Sequence, residues 1–232
     1  MGHLHIITPN PDAHKKIWVD TLGGKLVKIG PLEFAKFPGV FVGFRKGESN
    51  GGTDSSVVDH LGFLVQDLAA TRQKLVGAGL QIVRELPATR QFFAMLPDNV
   101  KVEFSEDASI DIPIRHHHVH FASDQIEPMR EWYAKTFGAV PGMRARFKAA
   151  DLPGVNLSWN PADKPTAATK GRALDHIGFE VGNIEEFCRK IEASGVKLER
   201  PVTKLPELGL TVAFLVDPYG TRIELTEGLT KF

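Results

Sequence analysis

Histidines recur in this sequence at the spacing that places side chains on one face of a β-strand. The segment "RHHHVHFASD" (115–124) contains four of them within five positions. Side chains alternate between the two faces of a strand, and Val119 and Phe121 share the apolar face. We therefore expect the opposite face to carry His116, His118 and His120. His117 is predicted to point to the apolar side or to solvent.

Three other segments place histidines in the same way. "HLHIIT" directs His3 and His5 away from Leu4 and Ile6, and "DHLGFLV" and "DHIGFEV" do so for His60 and His176. Two later strand candidates, "VKVEFSE" and "TRIELTE", turn Glu103 and Glu224 toward the histidine face, because their valines, isoleucine, leucine and phenylalanine occupy the other one.

Two histidines and one carboxylate form the facial triad typical of divalent metal sites with open positions. Each half of the chain offers one such set. We predict a main site of His118, His176 and Glu224, and a second site of His3, His60 and Glu103. His120 would orient a ligand or carry protons, because the ordinary histidine pKa of about 6.5 lies near neutrality. His5 would occupy the same place in the first half.

An internal repeat organises the chain. "DHLGFLV" and "DHIGFEV" begin at residues 59 and 175, and "FPGVFVGF" and "LPGVNLSW" begin at residues 37 and 152. Each copy divides again into a strand, a helix closed by glycine and three further strands. The fold class is therefore predicted as α+β, with four βαβββ modules in two tandem domains, residues 1–108 and 113–230. The polar stretch 106–114 would join them.

The motifs "DHxGFxV" and "DPxGxxIEL" resemble those of the vicinal oxygen chelate superfamily, which includes glyoxalase I, extradiol dioxygenases and bleomycin resistance proteins. The resemblance implies two incomplete mixed β-barrels flanked by helices, each holding a metal between the first and last strands of its modules. It also implies a substrate that binds the metal through two adjacent oxygens. Fe(II) or Mn(II) is favoured, with Zn(II) or Ni(II) as alternatives.

Some positions depart from that resemblance. The segments "GVFVGF" and "GVNLSW" lack the carboxylate of glyoxalase I, while Phe214 stands where extradiol dioxygenases carry tyrosine. The predicted function is a metal-dependent enzyme, either extradiol dioxygenase-like or a glyoxalase-like lyase or isomerase. The alternative is a ligand-binding or sequestration protein of the bleomycin-resistance type.

Composition narrows the class of partner. Lysine plus arginine and aspartate plus glutamate each number 28, so the formal net charge is zero, and we expect no affinity for nucleic acid or for anionic membranes. The expected partner is a small molecule, and oligomer formation is left open.

One cysteine, Cys188, allows no internal disulfide. We expect a cytoplasmic location by default, with export of a chain whose leader has been trimmed as the alternative.

Overall fold

The computed structural model describes residues 1–232, and they form the four predicted βαβββ modules. Module 1 contains β1 (His3–Thr8), α1 (Pro11–Lys15, continued by a π-helical turn, Lys16–Thr21), β2 (Lys25–Ile29), β3 (Leu32–Phe37) and β4 (Val40–Lys46). Module 2 contains β5 (Val58–Val65), α2 (Leu68–Gly77), β6 (Gln81–Leu86), β7 (Gln91–Leu96) and β8 (Val100–Glu106).

Modules 3 and 4 repeat this order. Module 3 contains β9 (Ile114–Ser123), α3 (Ile126–Phe137), β10 (Val140–Arg144), β11 (Phe147–Leu152) and β12 (Val155–Pro161). Module 4 contains β13 (Leu174–Glu180), α4 (Ile184–Ala193), β14 (Leu198–Leu205), β15 (Leu210–Val216) and β16 (Arg222–Glu227). None of the helices combines the length and hydrophobicity that crossing a membrane requires.

Local signals in the sequence define the helix ends. The side chains of Asn10, Asp67 and Asn183 each accept a hydrogen bond from the backbone N–H three residues later, which caps α1, α2 and α4. Helix α3 ends at Phe137 and is capped by Gly138, whose φ of 72° is left-handed. The predicted α+β class is confirmed.

The modules pair across the two halves of the chain. Sheet 1, built from modules 1 and 4, has the strand order β14-β15-β16-β13-β1-β4-β3-β2. Sheet 2, built from modules 2 and 3, has the order β10-β11-β12-β9-β5-β8-β7-β6. In each sheet the central contact is antiparallel, between β1 and β13 or between β5 and β9. Both sheets are mixed and neither closes into a barrel.

This pairing differs from the predicted one. Residues 1–108 and 113–230 do not each form their own sheet, because each sheet takes one module from each half. The connection 107–113 is short and leaves the start of β9 beside the end of β5, where the Gln66 N–H donates to the Pro113 carbonyl. Neighbouring elements joined by short connections remain neighbours in space, so module 3 is added to module 2.

The longer connections between modules 1 and 2 and between modules 3 and 4 lie side by side. The Arg172 guanidinium donates to the carbonyl oxygens of Gly52 (2.8 Å) and Asp54 (2.8 Å), and the Ala173 N–H donates to that of Gly51 (2.8 Å). Since both connections cross from one sheet to the other, these contacts tie the two halves together.

One apolar core joins the two sheets. Trp18 of module 1 packs against Phe63 of module 2, with ring centroids 5.5 Å apart, and Phe137 of module 3 packs against Phe179 of module 4 at 5.0 Å. The helices cover this side of the sheets, and the paired histidines and glutamates lie on the opposite, concave faces. The two sheets therefore form one folded unit.

Glycines at the central strand pairs permit this register. Gly178 lies opposite His3 and Gly62 lies opposite His118. A Cβ atom at Gly178 would lie 2.2 Å from Cε1 of His3, and one at Gly62 would lie 1.9 Å from Cε1 of His118. The glycine of each "DHxGF" motif thus leaves room for a histidine ring from the other half of the chain.

Replacing either glycine by alanine should disturb this packing. Gly62→Ala and Gly178→Ala are each expected to lower the free energy of unfolding by about 1–3 kcal/mol, because the added methyl must displace a buried imidazole. Urea denaturation measures the effect. Gly182→Ala is the matched control, since its Cβ would meet no heavy atom within 4 Å. If Gly62→Ala and Gly178→Ala unfold at the same free energy as the control, the strand register that places each glycine opposite a histidine is contradicted.

Cutting the chain between its halves tests the module pairing. A protease site inserted between Ala108 and Ser109, both exposed, should be cleaved without dissociation, because each sheet contains strands from both fragments. Size-exclusion chromatography should show one particle of unchanged size until denaturant is added. Separation into two folded half-sized domains under native conditions would support the pairing of modules 1 with 2 and 3 with 4.

Candidate metal centres

Each sheet carries one buried cluster of three histidines and one glutamate on its concave face. Site 1, on sheet 1, is His3, His5, His176 and Glu224; site 2, on sheet 2, is His60, Glu103, His118 and His120. Within each site the four potential ligand atoms lie within 4.8 Å of one another. The two sites occupy equivalent positions, because His3, His5, His176 and Glu224 correspond to His118, His120, His60 and Glu103.

The structure regroups the predicted site residues. His118 lies with His60 and Glu103 rather than with His176 and Glu224, and His3 lies with His176 and Glu224 rather than with His60 and Glu103. The cause is the module pairing, which exchanges the first strands between the two halves. Neither site therefore belongs to one half of the chain.

Two further donors belong to these sites. His5 and His120 lie at ligand distance in the clusters, whereas the sequence suggested only orienting or proton-carrying roles for them. Their spacing of two from His3 and His118 was the signal that could have placed them there. Burial lowers the pKa of His120 to about 3, so its imidazole is neutral at neutral pH and does not suit the predicted proton transfer.

β-Bulges place an aspartate beside one histidine of each site. The pairing of β5 with β9 skips Asp59, and that of β1 with β13 skips Asp175. A bulge breaks the strict alternation of faces, so neighbouring side chains can meet. Nδ1 of His60 lies 2.5 Å from Oδ1 of Asp59, and Nδ1 of His176 lies 2.6 Å from Oδ1 of Asp175.

A cation balances each of these aspartates. Lys101 Nζ lies 2.8 Å from Oδ2 of Asp59, and Arg222 Nη1 lies 2.7 Å from Oδ1 of Asp175. Burial raises the pKa of the Asp59 carboxyl, but its contacts with His60 and Lys101 outweigh burial and bring that pKa to about 2. Each aspartate is therefore ionised and fixes its histidine ring with Nε2 directed into the site.

The glutamates are ionised for a similar reason. Burial raises the pKa of Glu103 and Glu224, but neighbouring histidines outweigh it and hold both well below the usual range. Oε2 of Glu224 lies 3.0 Å from Nε2 of His3 and 2.9 Å from Nε2 of His176. Oε2 of Glu103 lies 3.1 Å from Nε2 of His60 and 3.6 Å from Nε2 of His118.

The donor chemistry of both sites fits a divalent metal ion. Imidazole nitrogen and carboxylate oxygen are the ligands of first-row divalent metals, and ligand distances of about 2.0–2.2 Å are compatible with the observed spacing. Nε2 of His5 and Nε2 of His120 are buried without a hydrogen-bond partner. Burial lowers the pKa of His60 and of His176, but each ring contacts one aspartate and one glutamate. These contacts outweigh burial, so the pKa of each histidine is raised and its protonated form is favoured. A bound metal ion would replace that proton.

Site 2 opens onto a cleft of about 500 Å³. His60, Glu103 and His120 reach its floor, and Phe93 and Phe147 form apolar parts of its wall. Polar side chains support the floor: Gln91 Nε2 donates to Oε1 of Glu103 at 3.1 Å and Ser105 Oγ does so at 2.7 Å. A small molecule in this cleft would touch the donors of site 2.

The equivalent space beside site 1 is filled by side chains. A buried apolar cluster occupies it: Ile29, Phe34, Phe41, Leu210 and Leu229. Phe34 lies on the same side of the sheet as His5, with ring centroids 6.5 Å apart. By strand register, sheet 2 carries polar residues where sheet 1 is apolar: Arg144 corresponds to Ile29, Asn156 to Phe41 and Gln91 to Val212.

The pairing of β5 with β9 contains a second bulge, this one in β9, and it turns two histidines away from their predicted directions. Gly62 pairs with His118 and Phe63 pairs with His116, so His117 is the extra residue. The His116 ring therefore packs against Phe63 on the apolar side, with centroids 5.3 Å apart, instead of sharing a face with His118. His117 turns toward His118, and their Nδ1 atoms lie 3.0 Å apart.

Solved structures with the same overall fold are found over nearly the full chain. Glyoxalase I from Zea mays is 18% identical, with a TM-score of 0.77, and the match covers 99% of this chain and 92% of that chain. A dioxygenase candidate from Bacillus subtilis is 16% identical, with a TM-score of 0.72, over 97% and 84% of the two chains. These likenesses show the fold. No curated protein matches the sequence significantly.

A family model gives the corresponding result from the sequence. Residues 115–225 match the model described as the glyoxalase/bleomycin resistance protein/dioxygenase superfamily. The matched segment contains modules 3 and 4, and modules 1 and 2 repeat the same βαβββ plan with the same donor positions. The match to this superfamily, also called the vicinal oxygen chelate superfamily, thus covers just under half of the chain.

Proposed function

We propose that this protein is a divalent-metal-dependent enzyme whose catalytic centre is site 2. The observation that carries the proposal is the cleft of about 500 Å³, which brings a small molecule to the donors of site 2, while apolar side chains fill the equivalent space at site 1. The substrate would present two adjacent oxygens, and the metal would bind them as a Lewis acid.

The residues of this chain would prepare that site in three ways. Asp59 fixes the His60 ring so that its Nε2 points inward, and Lys101 keeps Asp59 ionised. Gln91 and Ser105 hold one carboxylate oxygen of Glu103, which leaves Oε2 directed at the histidines. Phe93 and Phe147 supply apolar walls that exclude water and orient a flat or compact substrate.

Fe(II) or Mn(II) would suit these donors best, and Zn(II) or Ni(II) would also bind them. A glyoxalase-like lyase or isomerase reaction fits the cleft better than ring cleavage. Phe93 and Phe214 are the cross-strand partners of Glu103 and Glu224, so neither site carries a phenol hydroxyl at the position where the resemblance to extradiol dioxygenases expects tyrosine.

The alternative is a metal-free ligand-binding protein of the bleomycin-resistance type. One observation favours it: the Arg144 guanidinium lies among the donors of site 2, with Nη2 3.1 Å from Nε2 of His118. An arginine in that position could bind an anionic ligand without a metal. Elemental analysis of protein purified without chelator separates the two functions, because the alternative requires no bound metal.

Removing the carboxylate of site 2 should abolish turnover. Once a screen of α-hydroxyketones, thiol adducts of ketoaldehydes, catechols and hydroquinones finds a substrate, Glu103→Gln should lower kcat/KM at least ~100-fold, because ligand loss costs more than the 10–100-fold typical of an outer-shell change. Glu224→Gln, the matched change at site 1, should cost less than ~10-fold.

Oxygen uptake during the same screen distinguishes the reaction types. Turnover without oxygen uptake would indicate a lyase or isomerase, and turnover with uptake would indicate a dioxygenase. Greater loss of activity in Glu224→Gln than in Glu103→Gln would place the catalytic centre at site 1 and contradict the proposal.

A further inference from the structure

Arg144 places a positive charge inside site 2. Its Nη2 lies 3.1 Å from Nε2 of His118 and 3.2 Å from Nδ1 of His120, and its Nη1 lies 3.9 Å from Oε1 of Glu103. Its Nε donates to Oγ of Ser158 at 2.8 Å, which holds the guanidinium in place. The side chain is only 17% exposed, so little solvent screens this charge.

The direction of these hydrogen bonds determines their consequence. A guanidinium has five N–H donors and no acceptor, so His118 and His120 must accept through their unprotonated nitrogens. The lone pair on Nε2 of His118 is one that a metal ion in site 2 would bind. Arg144 and a metal ion therefore compete for that atom, and their like charges repel each other.

Site 1 lacks such a cation. Ile29 occupies the position equivalent to Arg144, since Ile29 pairs with Leu32 as Arg144 pairs with Phe147. Ile29 is 2% exposed and belongs to the apolar cluster. The guanidinium of Arg222 is bound to Asp175 and Glu199. Site 1 therefore keeps the negative charge of Glu224, and Nε2 of His5 is free to bind an ion.

We propose that Arg144 is a built-in competitor of the metal in site 2, so that site 1 binds a divalent ion more tightly and site 2 fills only when the guanidinium withdraws. This inference rests on the proposed metal role of both sites. The guanidinium carbon lies 5.6 Å from the centre of the Phe147 ring, which borders the cleft of site 2. Site 1 would then be a closed, resident metal centre and site 2 an exchangeable one.

Metal titration of the full-length protein tests the inference. After chelator treatment, Co(II) is added while its visible absorption and the heat of binding are followed. The wild-type protein should show one tight class of site and one class at least ~10-fold weaker, because a single charge within about 4–6 Å shifts the ionisation of a neighbouring group by about 10- to 1,000-fold. Glu224→Gln should remove the tight class, and Glu103→Gln the weak one.

Replacing Arg144 should equalise the two sites. Arg144→Ile, which installs the residue of site 1, should tighten the weak class at least ~10-fold and leave the tight class unchanged. Arg144→Gln removes the positive charge and keeps a polar side chain. It replaces Arg144→Ile as the test variant if the isoleucine variant does not fold. Arg146→Ile is the matched control, because Arg146 is exposed, two residues away and without a contact to the four donors. It should change neither class.

The outcomes separate this inference from the proposed function. Two equal classes in the wild-type protein, or a weak class that neither Arg144 variant tightens, would overturn the competition while leaving metal-dependent function intact. Absence of Co(II) binding in the wild-type protein and in both Arg144 variants would overturn the proposed metal function and the inference together.

Discussion

The antiparallel contacts of β1 with β13 and of β5 with β9 assemble both histidine–glutamate clusters of this protein. Each contact joins a strand from one half of the chain to a strand from the other, and each brings together histidines that are more than fifty residues apart in sequence. The glycines at positions 62 and 178 make the contacts close enough for imidazole rings to lie across them. The two potential metal centres are therefore products of strand pairing, and neither could form within one half of the chain alone.

Bulges in these strands convert a repeated sequence motif into a positioned ligand. In a regular strand, Asp59 and His60 would face opposite sides of the sheet. The bulge brings them to one side, where the ionised aspartate orients the imidazole and the inward nitrogen is directed at Glu103. The same arrangement at Asp175 and His176 shows that the "DH" pair is a structural unit that orients a histidine ring, with its counter-charge supplied by Lys101 or Arg222.

Much of the local structure could be predicted from the sequence. The repeat and the alternation of apolar residues gave the four modules and directed His3, His118, His60, His176 and both glutamates to the concave faces. The partner of each module could not be obtained in this way, because the first strands of all modules have the same pattern and fit either pairing. A bulge also leaves no mark on alternation, so the positions of His116 and His117 were predicted wrongly. The position of Arg144 in site 2 could not be predicted from the sequence, because it depends on how the β10–β11 hairpin folds over the histidines.

The two sites share their donors but differ in what surrounds them. An apolar cluster that includes Ile29 borders site 1, while a polar network, Arg144 and an open cleft border site 2. The repeated modules thus provide two equivalent sets of potential metal donors. Side chains around each set determine how open it is to small molecules and which charges lie beside it. This division explains how one centre could remain closed and occupied while the other exchanges its ion and admits substrate.

The most direct test is a crystal structure at saturating Co(II), with the ions located by anomalous scattering at the cobalt edge. We expect two peaks, one bound by His3, His5, His176 and Glu224 and the other by His60, Glu103, His118 and His120, at ligand distances of about 2.0–2.2 Å. A peak that joins His118 to His176 or Glu224, or ions bound only outside both clusters, would contradict the account.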